Sequence, residues 1–255
     1  MGSLRDAWEA QAHNWAAWAR TPGHDYYFWR LNLPSFLEIV PPPGRLTIDV
    51  GCGEGRVGCA LEERGHRVIG FDGSPTLARL AAEAEITQRV AVADAAALPA
   101  ADASADLAIA FMSLQDVDDM VSAVGEAARV LVPGGRLCLA IMHPISTTGL
   151  FDSDGHESDF RLLVPYFEPF RYAFPLERNG LEMTFAGMHR PLVAYTDALA
   201  EAGFLIEIIG EPVPDDDLVS EMPEMARQRK VPAFLHLRAV RGERATIGND
   251  EGGSR

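Results

Sequence analysis

The sequence predicts an α/β fold in which a doubly wound, mostly parallel sheet carries helices on both faces. Short runs of β-branched and apolar residues alternate with helical patterns over residues 44–143 and again over 191–240. The first of these runs ends in a glycine-rich turn at residues 51–55, which is typical of the tight strand-to-helix turns of such sheets. Residues 144–190 are aromatic and break the alternation, so we expect them to form a cap or lid insertion rather than a long structureless loop.

The composition is that of a folded, acidic chain. Its 255 residues are 47% hydrophobic and 23% charged, which is enough for one large domain with an apolar core. Its 22 basic and 37 acidic residues give a formal net charge of −15, which argues against nucleic-acid phosphate as a partner. No apolar run approaches the roughly 18 residues of a membrane span. The partner that remains is a small molecule.

The cysteines and the N-terminal sequence indicate the cellular compartment of the protein. The three cysteines fit neither a disulfide framework nor a zinc site, which favours a reducing environment. The N-terminus lacks the basic patch and apolar run of a secretory signal. We therefore expect a cytoplasmic protein, a monomer or homodimer, that is not associated with a membrane.

Residues 1–43 predict two helices that serve as a lid or a substrate-binding segment. They are rich in aromatic side chains: Trp8, Trp15, Trp18, Tyr26, Tyr27, Phe28 and Trp29. Among these, Tyr26, Tyr27 and Trp29 are candidates to fold over a ligand or to stack on an aromatic one. The alternative is that the aromatic stripe is core between helix and sheet.

The remaining elements follow in order along the chain. The predicted strands are residues 46–50, 67–71, 90–92, 106–111, 136–142, 204–209 and 233–240. The predicted helices are residues 56–64, a helix that begins at Ser74-Pro75, residues 118–131 and residues 192–202. Ser74 is an N-cap with proline at the first helical position, and Gly65 is a C-terminal cap. Residues 241–255 are rich in glycine and charge and predict a flexible tail.

Acidic residues stand at the carboxyl ends of the first three strands. They are Asp49, Asp72 and Asp94. The carboxyl ends of parallel strands meet at one edge of the sheet, where open α/β folds bind their ligands. Asp72 lies about twenty residues beyond the glycine-rich turn, where an acid accepts ribose hydroxyls.

The glycine-rich turn can be interpreted in two registers. The spacing G-x-G-x-x-G over residues 53–58 matches the dinucleotide fingerprint formally. The spacing D-x-G-x-G-x-G over residues 49–55 instead resembles the first motif of the class I S-adenosylmethionine-dependent methyltransferases. A pyrophosphate would meet the carboxylates of Asp49 and Glu54, whereas S-adenosylmethionine brings two cations and a carboxylate for the helix N–H groups. Charge therefore favours the second register.

Residues 49–142 match this family in order and spacing, and resemble most its small-molecule members, the type 11 group similar to the enzymes of ubiquinone and menaquinone biosynthesis. The resemblance implies a Rossmann-like, seven-stranded sheet, with S-adenosyl-L-methionine as cofactor and S-adenosyl-L-homocysteine as product. It implies that the cofactor contacts Asp49, Gly51, Gly53, Gly55, Asp72, Gly73, Asp94, Ala95, Phe111 and Met112. Asp72 would hold the ribose and Asp94 the adenine amino group. Gly73 departs from many relatives, which have a small or aliphatic side chain there.

Candidates for the catalytic and substrate-binding roles lie outside this motif set. His143 ends the fifth strand and is the candidate general base, which is needed only if the acceptor loses a proton as it attacks. The alternative is a hydrogen-bonded, structural histidine. Besides the N-terminal aromatics, the substrate-binding candidates are Gln115, His156, Tyr166 and His189. The acidic run 152–159 does not fit a calcium loop, and no metal site is predicted.

The expected function is transfer of a methyl group from S-adenosylmethionine to a small acceptor, aromatic or similar to a natural product. Three alternatives stay open: a cyclase or lyase that uses the cofactor without methylation, a non-catalytic cofactor-binding protein and, least favoured, an NAD-dependent oxidoreductase.

Overall fold

The computed structural model describes residues 2–83, 89–153 and 157–242. The strands are β1 (Thr47–Val50), β2 (Val68–Asp72), β3 (Val90–Val92), β4 (Ala105–Phe111), β5 (Leu131–Met142), β6 (Gly149–Phe151), β7 (Phe160–Leu162), β8 (Phe170–Arg178), β9 (Leu181–His189), β10 (Phe204–Gly210) and β11 (Phe234–Arg241). The helices are α1 (Leu4–Arg20), α2 (Leu33–Ile39), α3 (Arg56–Glu62), α4 (Pro75–Glu83), α5 (Met120–Val130), α6 (Leu192–Glu201) and α7 (Asp216–Glu221). A π-helical turn (Phe28–Asn32) leads into α2.

The main sheet has seven strands within the described residues, in the order β3-β2-β1-β4-β5-β11-β10. Strand β1 lies between β2 and β4 and is parallel to both. Strand β11 is antiparallel to its neighbours β5 and β10. The predicted seven-stranded, mostly parallel sheet with flanking helices is confirmed. All four residues of β1 are buried, because β1 lies in the centre of a sheet that is covered on both faces.

The core is divided between the two faces of the sheet. On one face, Ile48 and Leu139 pack with α5 and α6. On the other, Ile109 packs with Phe36 of α2 and Leu61 of α3. The sheet is therefore covered on both sides, and the edge formed by its carboxyl strand ends is left for a ligand.

The predicted helix ends are found where the local chemistry requires them. The Ser74 hydroxyl accepts a hydrogen bond from the Leu77 amide (3.0 Å), so α4 has the predicted N-cap. The turn after α3 places Gly65 at a φ of +90°. Helix α1 begins with a capping box, in which the Ser3 hydroxyl accepts from the Asp6 amide (3.0 Å) and the Asp6 carboxylate accepts from the Ser3 amide (3.2 Å).

The aromatic insertion consists largely of two antiparallel hairpins, β6–β7 and β8–β9. In the longer hairpin, β8 and β9 pair along nine residues, with Tyr172 opposite Gly187. Helix α1 lies against β9, so the N-terminal helix and this hairpin form one layer over the carboxyl edge of the sheet. Helix α7 and a 3₁₀ turn at Pro223–Arg229 lie between β10 and β11, where the sequence analysis predicted no helix. None of the helices in the described part of the chain is both long and apolar enough to cross a bilayer.

Candidate active site

A cavity of about 1090 Å³ lies at the carboxyl edge of the sheet, beneath α1 and the β8–β9 hairpin. It is lined by most of the residues that the sequence placed in the site: Tyr26, Tyr27, Asp49, Gly51, Gly53, Asp72, Gly73, Asp94, Ala95, Phe111, Met112 and Gln115. Gly55 is not among the lining residues but is the N-cap of α3, with a φ of +94°. His156 lies outside the described residues.

The glycine-rich turn has the conformation that its glycines allow. Gly51 and Gly53 have φ values of +75° and +58°, in the left-handed region that disfavours side chains. A Cβ at position 51 would collide with the side chain of Ser113. The Ser113 hydroxyl donates to the carbonyl oxygen of Val50 (2.5 Å), so the segment after β4 is fixed directly to this turn.

Asp72 connects the end of β2 to the same turn. Its Oδ1 accepts a hydrogen bond from the Ser74 amide and its Oδ2 accepts one from the Gly53 amide, both at 2.8 Å. Burial raises the pKa of this carboxyl to about 6, although both backbone hydrogen bonds lower it. The side chain lines the cavity with its orientation fixed.

The Asp49 carboxyl is buried beside the turn with fewer hydrogen-bond partners than Asp72 among the described residues. It is 1% exposed, and its Oδ2 has no hydrogen-bond partner among the described residues. Burial, and then the charges of Asp72 and Glu54, raise its pKa to about 8. A cation bound beside this carboxyl would favour its ionised form, because an opposite charge offsets the cost of burying a carboxylate. The donor set therefore fits the sulfonium and ammonium of S-adenosylmethionine and not a diphosphate.

Glu54, in contrast, has partners that sequence reasoning missed. Its Oε2 accepts from the Trp15 indole N–H (2.6 Å), and its Oε1 lies 3.2 Å from the Arg56 Nε. The Arg56 guanidinium also pairs with Asp25 (2.8 Å) and lies 3.5 Å from the centre of the Phe28 ring. The sequence does show an acid, Glu54, in the middle of the turn. A buried carboxylate requires cationic or hydrogen-bonding partners, so the presence of such partners could have been predicted.

Helix α1 is also hydrogen-bonded to the segment that follows Asp72. The Glu9 carboxylate accepts from the Thr76 hydroxyl (2.7 Å), the Thr76 amide (3.2 Å) and the Ser74 hydroxyl. These hydrogen bonds lower the pKa of Glu9. The aromatic helix thus covers the glycine turn and the end of β2 together.

Asp94 has a more open position than the other two strand-end acids. It follows β3, is exposed, and its Oδ1 accepts from the Ala96 amide (2.9 Å). Asp94, Ala95 and Gly73 line the same part of the cavity wall, after strands β3 and β2. The order of the sheet therefore places these residues on one side of β1 and the segment after β4 on the other.

The remainder of the cavity has an aromatic lining. It is formed by Tyr26, Tyr27, Phe111, Phe151, Phe160, Tyr172, Phe174, Phe185 and Phe234. Gln115 is buried there, where its Nε2 donates to the Met112 carbonyl oxygen (2.7 Å) and its Oε1 has no partner among the described residues. Met112 has a φ of +54°, which is uncommon for a side chain of this size and typical of functional turns.

The position of His143 differs from the prediction. Its side chain is not among those that line the cavity. Its Nδ1 accepts from the Ile145 amide (3.2 Å) and its Nε2 lies 3.0 Å from the Glu211 carboxylate. Burial lowers the pKa of this imidazole, and Glu211 opposes that shift. These contacts are those of a structural histidine that closes β5, because both ring nitrogens are engaged away from the cavity.

Three further candidates also lie away from the cavity lining. The ring nitrogens of His189 lie 2.6 Å from the Thr147 hydroxyl and 2.7 Å from the Tyr166 carbonyl oxygen. The Tyr166 hydroxyl accepts from the Leu192 amide (3.1 Å). Trp29 is 46% exposed and packs edge-on against Phe28. The first two stabilise the base of the insertion, and the third faces solvent.

Comparisons with known proteins agree with this geometry. Residues 48–139 match the family described as a methyltransferase domain. A malonyl-[acyl-carrier protein] O-methyltransferase of Hahella chejuensis is 39% identical over 109 residues, 41% of this chain and 38% of the relative. A demethylmenaquinone methyltransferase of Thermus thermophilus is 36% identical over 114 residues, 42% of this chain and 51% of the relative. The chain thus spans less than two thirds of the length of these curated relatives.

A solved structure extends the likeness beyond the matched segment. An S-adenosylmethionine-dependent methyltransferase from Mesorhizobium loti is 25% identical, with a TM-score of 0.68. The match covers 82% of this chain and 96% of that one. The shared architecture therefore includes most of the sheet and not only the glycine-rich half.

Proposed function

We propose that this chain is a class I S-adenosylmethionine-dependent methyltransferase, with residues 48–139 as its methyltransferase domain, and that it methylates a small, partly apolar acceptor. The observation that carries the proposal is the pair of buried carboxyls, Asp49 and Asp72, at the glycine-rich turn. Asp49 has an oxygen that no described residue hydrogen-bonds and that suits a cation, and Asp72 is oriented by two backbone amides.

The cofactor-binding residues have distinct parts in this proposal. Asp49 would face the cationic end of S-adenosylmethionine. The backbone N–H groups at the start of α3 would donate hydrogen bonds to the carboxylate of the cofactor. The Asp72 carboxylate would accept hydrogen bonds from the ribose hydroxyls, and the Asp94 carboxylate would accept one from the adenine amino group. Phe111 and Met112 would pack against the bound cofactor from the β4 side.

The chain itself contributes orientation and exclusion of water. S-adenosylmethionine, when bound, supplies a methyl group that is already activated by the positive sulfur. Helix α1 and the β8–β9 hairpin close the carboxyl edge of the sheet, and Trp15 and Glu9 hold α1 against the binding turn. A site closed in this way aligns two reactants and lowers the barrier mainly through proximity.

The acceptor is proposed from the aromatic half of the cavity. We infer that residues 1–43 and 144–190 select it, because Tyr26 and Tyr27 come from the first segment and Phe151 and Phe160 from the second. A quinone-like or other aromatic acceptor suits this lining, and the name of the Thermus thermophilus relative points to a substrate of that kind.

Isothermal titration calorimetry with S-adenosylmethionine tests the proposal. The wild type is expected to bind with micromolar affinity, and Asp72→Ala to lose at least about tenfold because ribose contacts disappear, each tenfold corresponding to about 1.4 kcal/mol. Asp102→Asn is the control, since Asp102 is an exposed acid that pairs with Arg129. No heat of binding in the wild type would contradict the proposal, and so would thermal stabilisation by NAD alone.

A further inference from the structure

Beyond the proposed cofactor site, a second carboxyl–aromatic cluster faces the same cavity. Asp116 lies in the 3₁₀ turn Leu114–Asp116 that follows β4, and Tyr172 lies in β8. Both line the cavity.

The two oxygens of the cluster approach one glycine. A Cβ at Gly187 would collide with the Tyr172 hydroxyl oxygen and would lie 3.0 Å from the Asp116 Oδ1. Position 187 therefore has to be glycine for the hydroxyl and the carboxylate to lie over the same stretch of β9. The hairpin register, which pairs Tyr172 with Gly187, sets this approach.

Groups from five elements surround the Asp116 carboxyl. Arg190 follows β9, Asp72 ends β2, Trp8 comes from α1, Tyr172 from β8 and Tyr195 from α6. The residue is half-buried as a whole, but its carboxylate is enclosed. Burial raises the pKa of Asp116 well above its usual value, and the Arg190 charge opposes this shift. A carboxylate of raised pKa is a better proton acceptor than an exposed one.

The Asp116 carboxylate accepts hydrogen bonds from the side chains of Trp8 and Gln115, which orient it and do not neutralise its charge. The Arg190 guanidinium donates hydrogen bonds to the carbonyl oxygens of Val117 (2.7 Å) and Asp118 (3.1 Å), so it stabilises the chain directly after the 3₁₀ turn. The Gln115 Nε2 is 3.5 Å from the Asp116 Oδ2 and 2.7 Å from the Met112 carbonyl oxygen. Burial, and then the charge of Asp116, raise the pKa of Tyr172 well above 10, so its hydroxyl remains a hydrogen-bond donor.

We propose that Asp116 is the general base of the transfer reaction and that the acceptor presents a neutral hydroxyl group to Asp116 and Tyr172. The inference depends on the proposed function. The acceptor oxygen forms its new bond to the methyl carbon as the bond from that carbon to sulfur breaks, and that electron pair stays on sulfur. The hydroxyl proton moves to the Asp116 carboxylate.

The location of the cluster suits this role. Strand β4 lies on the other side of β1 from β2 and β3, whose ends carry Asp72 and Asp94. The nucleoside part of the cofactor would lie over the ends of β2 and β3. Asp116, which follows β4, would then lie on the side of the cavity where the acceptor binds. A carboxylate acceptor, such as a malonyl group, has no proton to lose and would be repelled by Asp116. The cluster therefore favours a phenol or enol over a carboxylic acid.

Methyl transfer to 4-methylphenol and to 4-methylthiophenol at pH 8 tests the inference. The two probes have the same shape, but the thiol is ionised in solution and needs no base. Asp116→Asn should slow transfer to the phenol by about 100-fold or more, the range of general-base contributions, with no loss for the thiol. Tyr172→Phe should slow transfer to the phenol about tenfold, and Asp102→Asn should change neither rate.

The outcomes separate the inference from the proposed function. Equal rates for wild type and Asp116→Asn on the phenol, or equal losses on both probes, would overturn the role of Asp116. Transfer to neither probe by a wild type that binds S-adenosylmethionine in calorimetry would overturn the acceptor class. A wild type that does not bind S-adenosylmethionine would overturn the proposed function itself.

Discussion

Replacement of Asp49 by asparagine should make the empty protein more stable in a pH-dependent way. The folded protein keeps the proton on Asp49 up to about pH 8, whereas the unfolded chain releases it near the usual value of 3.8. The folded state therefore binds more protons over this interval, and its free energy of unfolding falls as pH rises through it. An amide side chain at this position does not titrate, so this loss of stability would disappear in the variant.

The size of the effect follows from the shift. A rise in pKa from 3.8 to about 8 corresponds to about 6 kcal/mol between the two protonation states, which is an upper limit because Asp72 and Glu54 lie nearby. The stability gained by Asp49→Asn should thus be near zero at pH 4, grow through pH 6 and level off above about pH 8.

Urea unfolding at pH 4, 6, 8 and 9 measures this difference, with Asp102→Asn as the control. Calorimetry on the same proteins should show the opposite effect on function, since the neutral amide of the Asp49→Asn variant offers no charge to the cationic ligand and binding of S-adenosylmethionine should weaken. A stability difference that stays constant with pH would refute the reasoning, because it would mean that Asp49 has an ordinary pKa in the fold.

Two other substitutions test separate parts of the structure. Gly51→Ala should lower the free energy of unfolding by about 1–3 kcal/mol, because an alanine there would have a φ of +75° and its Cβ would collide with the Ser113 side chain. Urea unfolding measures this loss, and an unchanged midpoint would contradict the prediction. His143→Gln should leave the rate of methyl transfer to 4-methylphenol within about threefold of wild type, and a 100-fold loss would restore the histidine as the base.

The cofactor half of the site was predictable because it depends on local chain geometry. A glycine at φ +75° after a buried strand, and acids at the ends of successive parallel strands, have fixed places once the strands are recognised. The sequence could thus place Asp49 and Asp72 beside the glycine-rich turn, and their contacts with a cofactor stay a prediction. Ser74 was equally accessible, since an N-cap acts within three residues.

The acceptor half depends on contacts between distant segments. Tyr172 meets Asp116 only because the β8–β9 hairpin folds over the end of β4 in a particular register. Trp15 reaches Glu54 because α1 lies across the sheet edge. The surroundings of His143 depend on such a contact too, because Glu211, after β10, lies 3.0 Å from its Nε2 and the ring is not part of the cavity lining.

A crystal structure with S-adenosyl-L-homocysteine is the most direct examination of the ligand's identity and placement. The ligand should lie across the bend at Gly51 and Gly53, with both ribose hydroxyls on the Asp72 carboxylate and the amino group near Asp49 Oδ2. A ligand located elsewhere, or a nicotinamide dinucleotide bound at that bend, would contradict the assignment.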